Sequence, residues 1–322
     1  MSYQNFINKV KETDITVIGC SGCTHELFDN SYLKQTEPSS IHMQETCVTV
    51  TWMRLLAKYY DLTHEDWCID ELEKSYLNAL CGSINDRNNN CYSLELNRKI
   101  ESLPFDSYSP LYKSRRGLAV GGFKTLSDGT HYGCCACIAS IGLALYPLYG
   151  VVKAKDELII NYLVNAKINE KNLSVEIVGN YLTDNKVLIK INNLGDYKKV
   201  KIRIPSYFKN VQCNLEIKDG FIESNSFDEI EINFNFEVNK IILNNKVCFT
   251  YGPLVLGQEN YKNNMQIFEI SENPEIIKLR PQNNEFVRFK IDGVLFSNYS
   301  SLGKNWNEDS LVNVWNDINR KK

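Results

Sequence analysis

The 322-residue sequence contains no block of basic residues, and its formal net charge is only −3. Charge-driven binding of nucleic acid or of an anionic membrane needs a concentrated positive surface, so neither is expected as a partner. No apolar run approaches the ~18 residues that cross a bilayer as a helix. The first residues, MSYQNFINKVKETD, lack the apolar core of a secretory signal. Reduced thiols and a cytoplasmic location are therefore expected. Internal repeats and low-complexity tracts are also missing. What remains is an ordinary globular composition, with 43% hydrophobic and 23% charged residues. A chain of this length buries a core and makes one large or two ordinary domains.

The periodicity divides the chain near Gly150. Residues 1–150 read as helices and loops. Val50, Trp52, Met53, Leu55, Leu56, Tyr59 and Tyr60 recur at helical spacing and predict a helix over Thr46–Asp61. Further helices are predicted for Tyr3–Lys11, for Glu65–Cys81 ending near Gly82, and for about Cys135–Tyr146 before Pro147. Residues 84–133 are rich in Asn, Ser and Gly and read as long loops, where function often resides. After Val151 the period becomes two. Ile230, Ile232, Phe234, Phe236 and Val238 alternate with polar neighbours, as do Val200, Ile202 and Ile204. This patterning marks strands with one wet face, and several of them between Asn, Asp and Gly turns predict an antiparallel β-sandwich over 151–322.

The chemistry-bearing residues concentrate in the first part. Nine of the eleven cysteines precede residue 140. Cys20 and Cys23 form GCSGC, Cys47 lies in QETC, and Cys134, Cys135 and Cys137 form GCCAC. Thiolates at short spacing are the usual ligands of zinc, while isolated cysteines act as small buried hydrophobes. Cys68, Cys81, Cys213 and Cys248 sit inside apolar patterns and take the second reading. Adjacent cysteines followed by a helix place thiols near backbone N–H groups, which favours thiolate. Glu45 and Cys47 are two residues apart and would diverge on a regular helix. They can face one ion only if Glu45 stands before the helix or in its frayed start. Of the four histidines, His25 and His131 flank the cysteine loops as polar site candidates, and His64 fits a helix start. His42 stands apart from these. Glu26 follows His25 in THELFDN, where a glutamate is either solvated or catalytic.

Taken in order, HELF, ETC with its helix, LEKSYLNAL, GCC, IRIPSY, the strand pair around Asn233, YGPLVLGQ and SLGKNW…VNVW resemble glycoside hydrolase family 127, the β-L-arabinofuranosidases. The resemblance covers nearly the whole chain. It implies an α+β multidomain fold: helices of a partial (α/α)6 barrel in residues 1–150, then the β-sandwich of 151–322. It further implies a zinc ion (Zn2+) held by Glu45, Cys47, Cys134 and Cys135, with Cys134 as nucleophile and Glu26 as general acid/base in a retaining hydrolysis. The implied substrate is a terminal furanoside of a plant-type glycan or glycopeptide.

The sequence departs from the family in three ways. A full barrel needs many more helices than the four read before residue 150, so most of it, with the family's sugar-binding histidines, is expected on a separately encoded fragment. Family members usually carry small polar residues where Cys20 and Cys23 stand. The family's Pro-Pro-Asn after GCC is replaced by ACIASIG, which leaves Cys137 as a substitute ligand. Two other readings therefore stand beside the hydrolase. One is a non-catalytic truncated relative with a carbohydrate- or partner-binding sandwich. The other is a structural zinc protein using Cys20, Cys23 and two of Cys134, Cys135 and Cys137 as a closed four-thiolate site.

Overall fold

A computed structural model of the protein describes residues 2–22, 28–37, 44–93, 96–101, 104–106, 108–119, 123–125, 131–226, 228–262, 269–282 and 284–319. Among the described residues the elements are mostly β-strands, with few helices. The helices are α1 (Tyr3–Thr13), α2 (Ser31–Lys34), α3 (Thr46–Thr63), α4 (Trp67–Ser75), α5 (Cys81–Ser83) and α6 (Cys134–Gly150). Ser2 caps α1 by accepting a hydrogen bond from the Asn5 N–H, at 3.2 Å. Among the described residues, no helix is long and apolar enough to cross a membrane.

The helix expected over Glu65–Cys81 is one helical stretch, but it changes winding midway. Residues Tyr76–Leu80 form a π-helical turn between α4 and α5. Asn78 lies within this turn and is fully buried. Its Nδ2 donates to the carbonyls of Lys74 (2.7 Å) and Pro253 (2.9 Å), and its Oδ1 accepts from the Val255 N–H (2.8 Å). The helix predicted for about Cys135–Tyr146 appears as α6, which starts one residue earlier and runs on through Pro147 to Gly150. Its last carbonyls are taken up by Asn161, whose Nδ2 donates to Tyr149 O and whose N–H donates to Gly150 O. That capping supports a final turn which Pro147 would otherwise weaken. His64 does not start a helix. It ends α3 as a left-handed C-cap residue with φ 55°, and its N–H returns to the Tyr60 carbonyl.

The chain forms two compact units, and the division differs from the one periodicity suggests. One unit is Tyr146–Val238; the other joins Met1–Leu145 to Asn239–Lys322. The first holds two five-stranded sheets. In one, Ala166–Glu170, Leu173–Val178, Lys186–Leu194, Glu229–Asn235 and Lys209–Cys213 pair antiparallel in that order. The alternation read in the sequence is realised here: Ile230, Ile232 and Phe234 are buried, and Phe234 stacks on Phe208 at 3.8 Å. The other sheet is not wholly antiparallel, because Lys199–Arg203 runs parallel to Glu157–Ile160.

In the second unit a nine-stranded sheet runs from Glu269–Ser271 to Ile276–Leu279, with Lys246–Tyr251 and Leu254–Tyr261 in its middle. Its strands complete the core of the helical segment. Val17, Ile18, Cys20, Ala79, Leu111 and Tyr112 share one buried cluster with Cys248, Val255, Tyr299, Val312, Val314 and Trp315. Buried Arg116 donates to the carbonyls of Leu302 (2.7 Å) and Tyr299 (3.1 Å) and lies over the Tyr299 ring. Alternation reveals which side of a strand is buried but not what covers it, so residues 239–322 read like the strands before them while belonging with the helices.

Candidate metal centre

Glu45 stands before α3, as its part in a shared site requires. It has extended backbone, φ −76° and ψ 137°, and forms the N-cap of α3. It also closes a two-residue strand that pairs with Tyr108–Ser109, Glu45 opposite Tyr108. Thr46, the first helical residue, fixes the junction by donating from Oγ1 to the Asp106 carbonyl at 2.9 Å. Cys47 follows in the first turn, so the switch from strand to helix turns two residues that would diverge on a helix toward one point. Cys134 and Cys135 open α6, which lies against α3 through Gly142.

These elements bring four donors together. The Cys47 sulfur is 3.4 Å from that of Cys134 and 3.4 Å from that of Cys135. The Cys135 sulfur is 3.5 Å from Glu45 Oε1. All four donor atoms lie within 4.8 Å of one another, with Glu45 and Cys135 buried and Cys47 and Cys134 half-buried. The sulfurs are far beyond the ~2.05 Å of a disulfide. Their spacing is close to the edge of a tetrahedron around zinc, about 3.6–3.8 Å for Zn–S and Zn–O bonds of ordinary length.

Without an ion Cys47 and Cys134 hold their protons. A hydrogen bond to Cys135 and then burial raise Cys47 far above the ordinary thiol range. Burial, with Cys135 beside it, pushes Cys134 up to about 11. Ionised together, three thiolates and a carboxylate would repel strongly within this volume, so the set is stable in that form only around a cation. Three sulfurs and one carboxylate suit a borderline-soft divalent ion of the zinc type. The residues present therefore fit the group.

The other candidates fall outside this cluster. Cys20 is fully buried, and its thiol faces carbonyls, Ser21 O at 3.2 Å and Glu45 O at 3.3 Å. Cys137 is exposed on α6. His131 lies in a short strand, His131–Gly133, paired with Phe123–Thr125. Glu26, Cys23, His25 and His42 lie outside the described residues. One neighbour gave no sequence signal beyond lying in the long loops: Asp106. It is wholly buried, and burial outweighs the Gly117 N–H at 2.7 Å and nearby Arg116, raising its carboxyl to about 7.

Comparison with known proteins places this arrangement in context. Residues 2–135 match the family described as "Beta-L-arabinofuranosidase, GH127 catalytic domain". That stretch contains all four converging residues. No curated protein matches the chain in sequence. Among solved structures, a GH127 β-L-arabinofuranosidase from Geobacillus stearothermophilus T6 is similar at TM-score 0.66 and 14% identity, over 96% of this chain and 55% of that one. A protein described as a glycoside hydrolase is similar at TM-score 0.67 and 14% identity, over 98% of this chain and 61% of that one. A third, described as a GH127 β-arabinofuranosidase, gives TM-score 0.63 and 16% identity over 95% and 54%. The likeness in fold thus runs through both units, and this chain spans 54% to 61% of the length of these structures.

Proposed function

We propose that this GH127-like chain is the bond-breaking portion of a retaining glycoside hydrolase of the β-L-arabinofuranosidase type. The observation that carries the reading is the convergence of Glu45, Cys47, Cys134 and Cys135 from the starts of two helices. Zinc held by these four side chains would keep the sulfurs as thiolates at neutral pH. Cys134 is the nucleophile: it is more open than Cys135 and stands at the first position of α6, where backbone N–H groups favour anionic sulfur. Its sulfur attacks the anomeric carbon as the bond to the leaving oxygen breaks, giving a glycosyl thioether. Glu26, assigned by its motif, donates a proton to that oxygen and then takes one from the water that cleaves the thioether. Buried Glu45 and Cys135, with Cys47, fix the direction of the attacking sulfur.

The substrate class is a terminal β-L-arabinofuranoside of a plant-type glycan or glycopeptide. In this reading the helices before residue 150 belong to an (α/α)6 barrel and the two five-stranded sheets that follow, up to Val238, to a β-sandwich. The groups that grip the sugar ring lie outside these residues, which span 54% to 61% of the similar structures. A cluster of reduced thiols suits the cytoplasm. Since Cys20 donates to a carbonyl within the core, the four-thiolate alternative has one ligand fewer to draw on.

The test is hydrolysis of an aryl β-L-arabinofuranoside by the chain, with and without the missing helices added as a second chain. Positioning accounts for ~7–11 kcal/mol of a barrier, so the chain alone should turn over little or nothing and the pair should turn over readily. Full activity of the chain alone would overturn the division of labour. Normal turnover by a reconstituted Cys134→Ala protein would overturn the thiolate mechanism.

A further inference from the structure

The GCSGC motif has no part in the chemistry above, yet the structure seats its first cysteine directly behind a metal-site residue. Cys20 lies in a tight loop anchored on both sides. Gly19, at φ 78°, sits so close to α4 that an added Cβ would be 2.6 Å from the Ser75 Cα, so the loop rests on backbone and cannot retreat. The Cys20 carbonyl accepts from both the N–H and the Oγ1 of Thr16, each at 2.8 Å. Thr16 Oγ1 also lies 3.0 Å from Gln44 Oε1, next to Glu45 in the same short strand. From this fixed base the Cys20 thiol reaches the Glu45 carbonyl at 3.3 Å, sharing its proton with Ser21 O at 3.2 Å. Thr49 Oγ1 approaches the same Glu45 carbonyl from the helix side, at 3.2 Å.

From this we infer that Cys20 is a positioning residue for the metal centre: it holds the backbone of Glu45 at the strand-to-helix junction and thereby aims the carboxylate at the three sulfurs. The inference rests on the zinc reading of Glu45, Cys47, Cys134 and Cys135. Glu45 is the lone ligand of the four that is not a sulfur and the one whose backbone leaves the ladder at its own position. Its aim depends on a ψ angle that the helix does not yet enforce, so a second clamp on its carbonyl has direct leverage on the ligand. Residues behind metal ligands commonly tune affinity by 10–100-fold. A serine at position 20 would keep a donor of similar reach, and an alanine would not.

The experiment measures zinc affinity of the full chain by chelator competition, for wild type, Cys20→Ala, Cys20→Ser and Cys47→Ala. Cobalt substitution runs beside it, with sulfur-to-cobalt charge-transfer intensity counting the thiolates. We expect Cys20→Ala to bind about tenfold more weakly, Cys20→Ser to stay within about threefold of wild type, and both to keep a three-thiolate spectrum. The serine variant should lose more thermal stability than metal affinity, since it buries a hydroxyl in an apolar cluster; a purely structural role would reduce the two together. Wild-type affinity in Cys20→Ala overturns the inference. A lost thiolate band in either Cys20 variant also overturns it, by making Cys20 a ligand. If wild type binds no zinc, or Cys47→Ala binds as wild type does, the zinc reading itself fails, and that outcome is distinct from the other two.

Discussion

Gly142 of α6 lies directly on Val50 of α3: a Cβ at 142 would stand 2.8 Å from Val50 Cγ2, and equally close to Leu80 Cδ2. These two helices carry the three sulfurs of the candidate metal site, so this contact sets how near the two sets of thiols come. The obstructing atoms are side-chain ends, which yield a little. Gly142→Ala should therefore be nearly neutral, because ~1 kcal/mol of better helix propensity offsets the crowding. Gly142→Leu should lose about 1–3 kcal/mol to overpacking and weaken metal binding. Denaturant unfolding and chelator competition on both variants check the pair.

One zinc per chain is expected on the converging set. Cys47→Ala and Cys135→Ala should purify with little metal, Glu45→Gln with less than wild type, and Cys137→Ala with a full equivalent, since Cys137 points to solvent. Elemental analysis of the four proteins decides. A metal-free Cys137→Ala would restore that residue as the substitute ligand.

Lys304 gives the stability a basic-pH signature. Its ammonium donates to the carbonyls of Cys81 and Ile84, each at 2.9 Å, where the helical stretch ends. Burial first, then Arg116, lowers it from the usual 10.5 to about 8. Between those two values the unfolded chain binds more protons than the folded one. This residue's contribution to stability therefore rises as pH increases from about 8 to 10.5 and is lost as pH falls back through 8. Chemical denaturation of wild type across that window, minus the same curve for Lys304→Met, should isolate the rise. A flat difference would count against it.

Asn78 should be among the costliest buried polar residues to lose. Asn78→Leu strands the carbonyl of Pro253 and the N–H of Val255 without their partner. Leaving buried groups unpaired costs roughly 1–3 kcal/mol each, so a drop of several kcal/mol is expected. The same contacts predict fragment behaviour. Residues 146–238 expressed alone should unfold cooperatively, whereas residues 1–145 without 239–322 should not, because Ala79, Val17 and Ile18 would lose Val255, Val314 and Trp315 from their cluster. Thermal scans of the two fragments test this.

Much of this was legible because local periodicity records which face of an element is buried. The helix over Thr46–Asp61 appears as α3, two residues longer, and the alternation through Glu229–Asn235 appears as a strand. The condition set by the Glu45–Cys47 spacing, that Glu45 precede the helix, is the geometry found. The π-turn at Tyr76–Leu80 was hidden, because helical spacing does not distinguish π from α winding and the Pro253 partner of its Asn78 lies 175 positions away. The left-handed His64 was misplaced because a polar residue between two helices fits either boundary. The allegiance of residues 239–322 was invisible for a similar reason: Arg116 and Lys304 find their partners among backbone carbonyls, which carry no residue identity to read.

The shared cluster of Val17, Ile18 and Cys20 with Val312, Val314 and Trp315 also fixes an order of events on the ribosome. At 5–20 residues per second, roughly 15–60 s separate synthesis of the first of these residues from synthesis of the last. During that interval the loop behind Glu45 has no lid, and the intervening residues 146–238 have time to fold as a unit of their own. The candidate metal site, although Glu45 and Cys47 are made early, is not backed by this cluster until Val312, Val314 and Trp315 have been added.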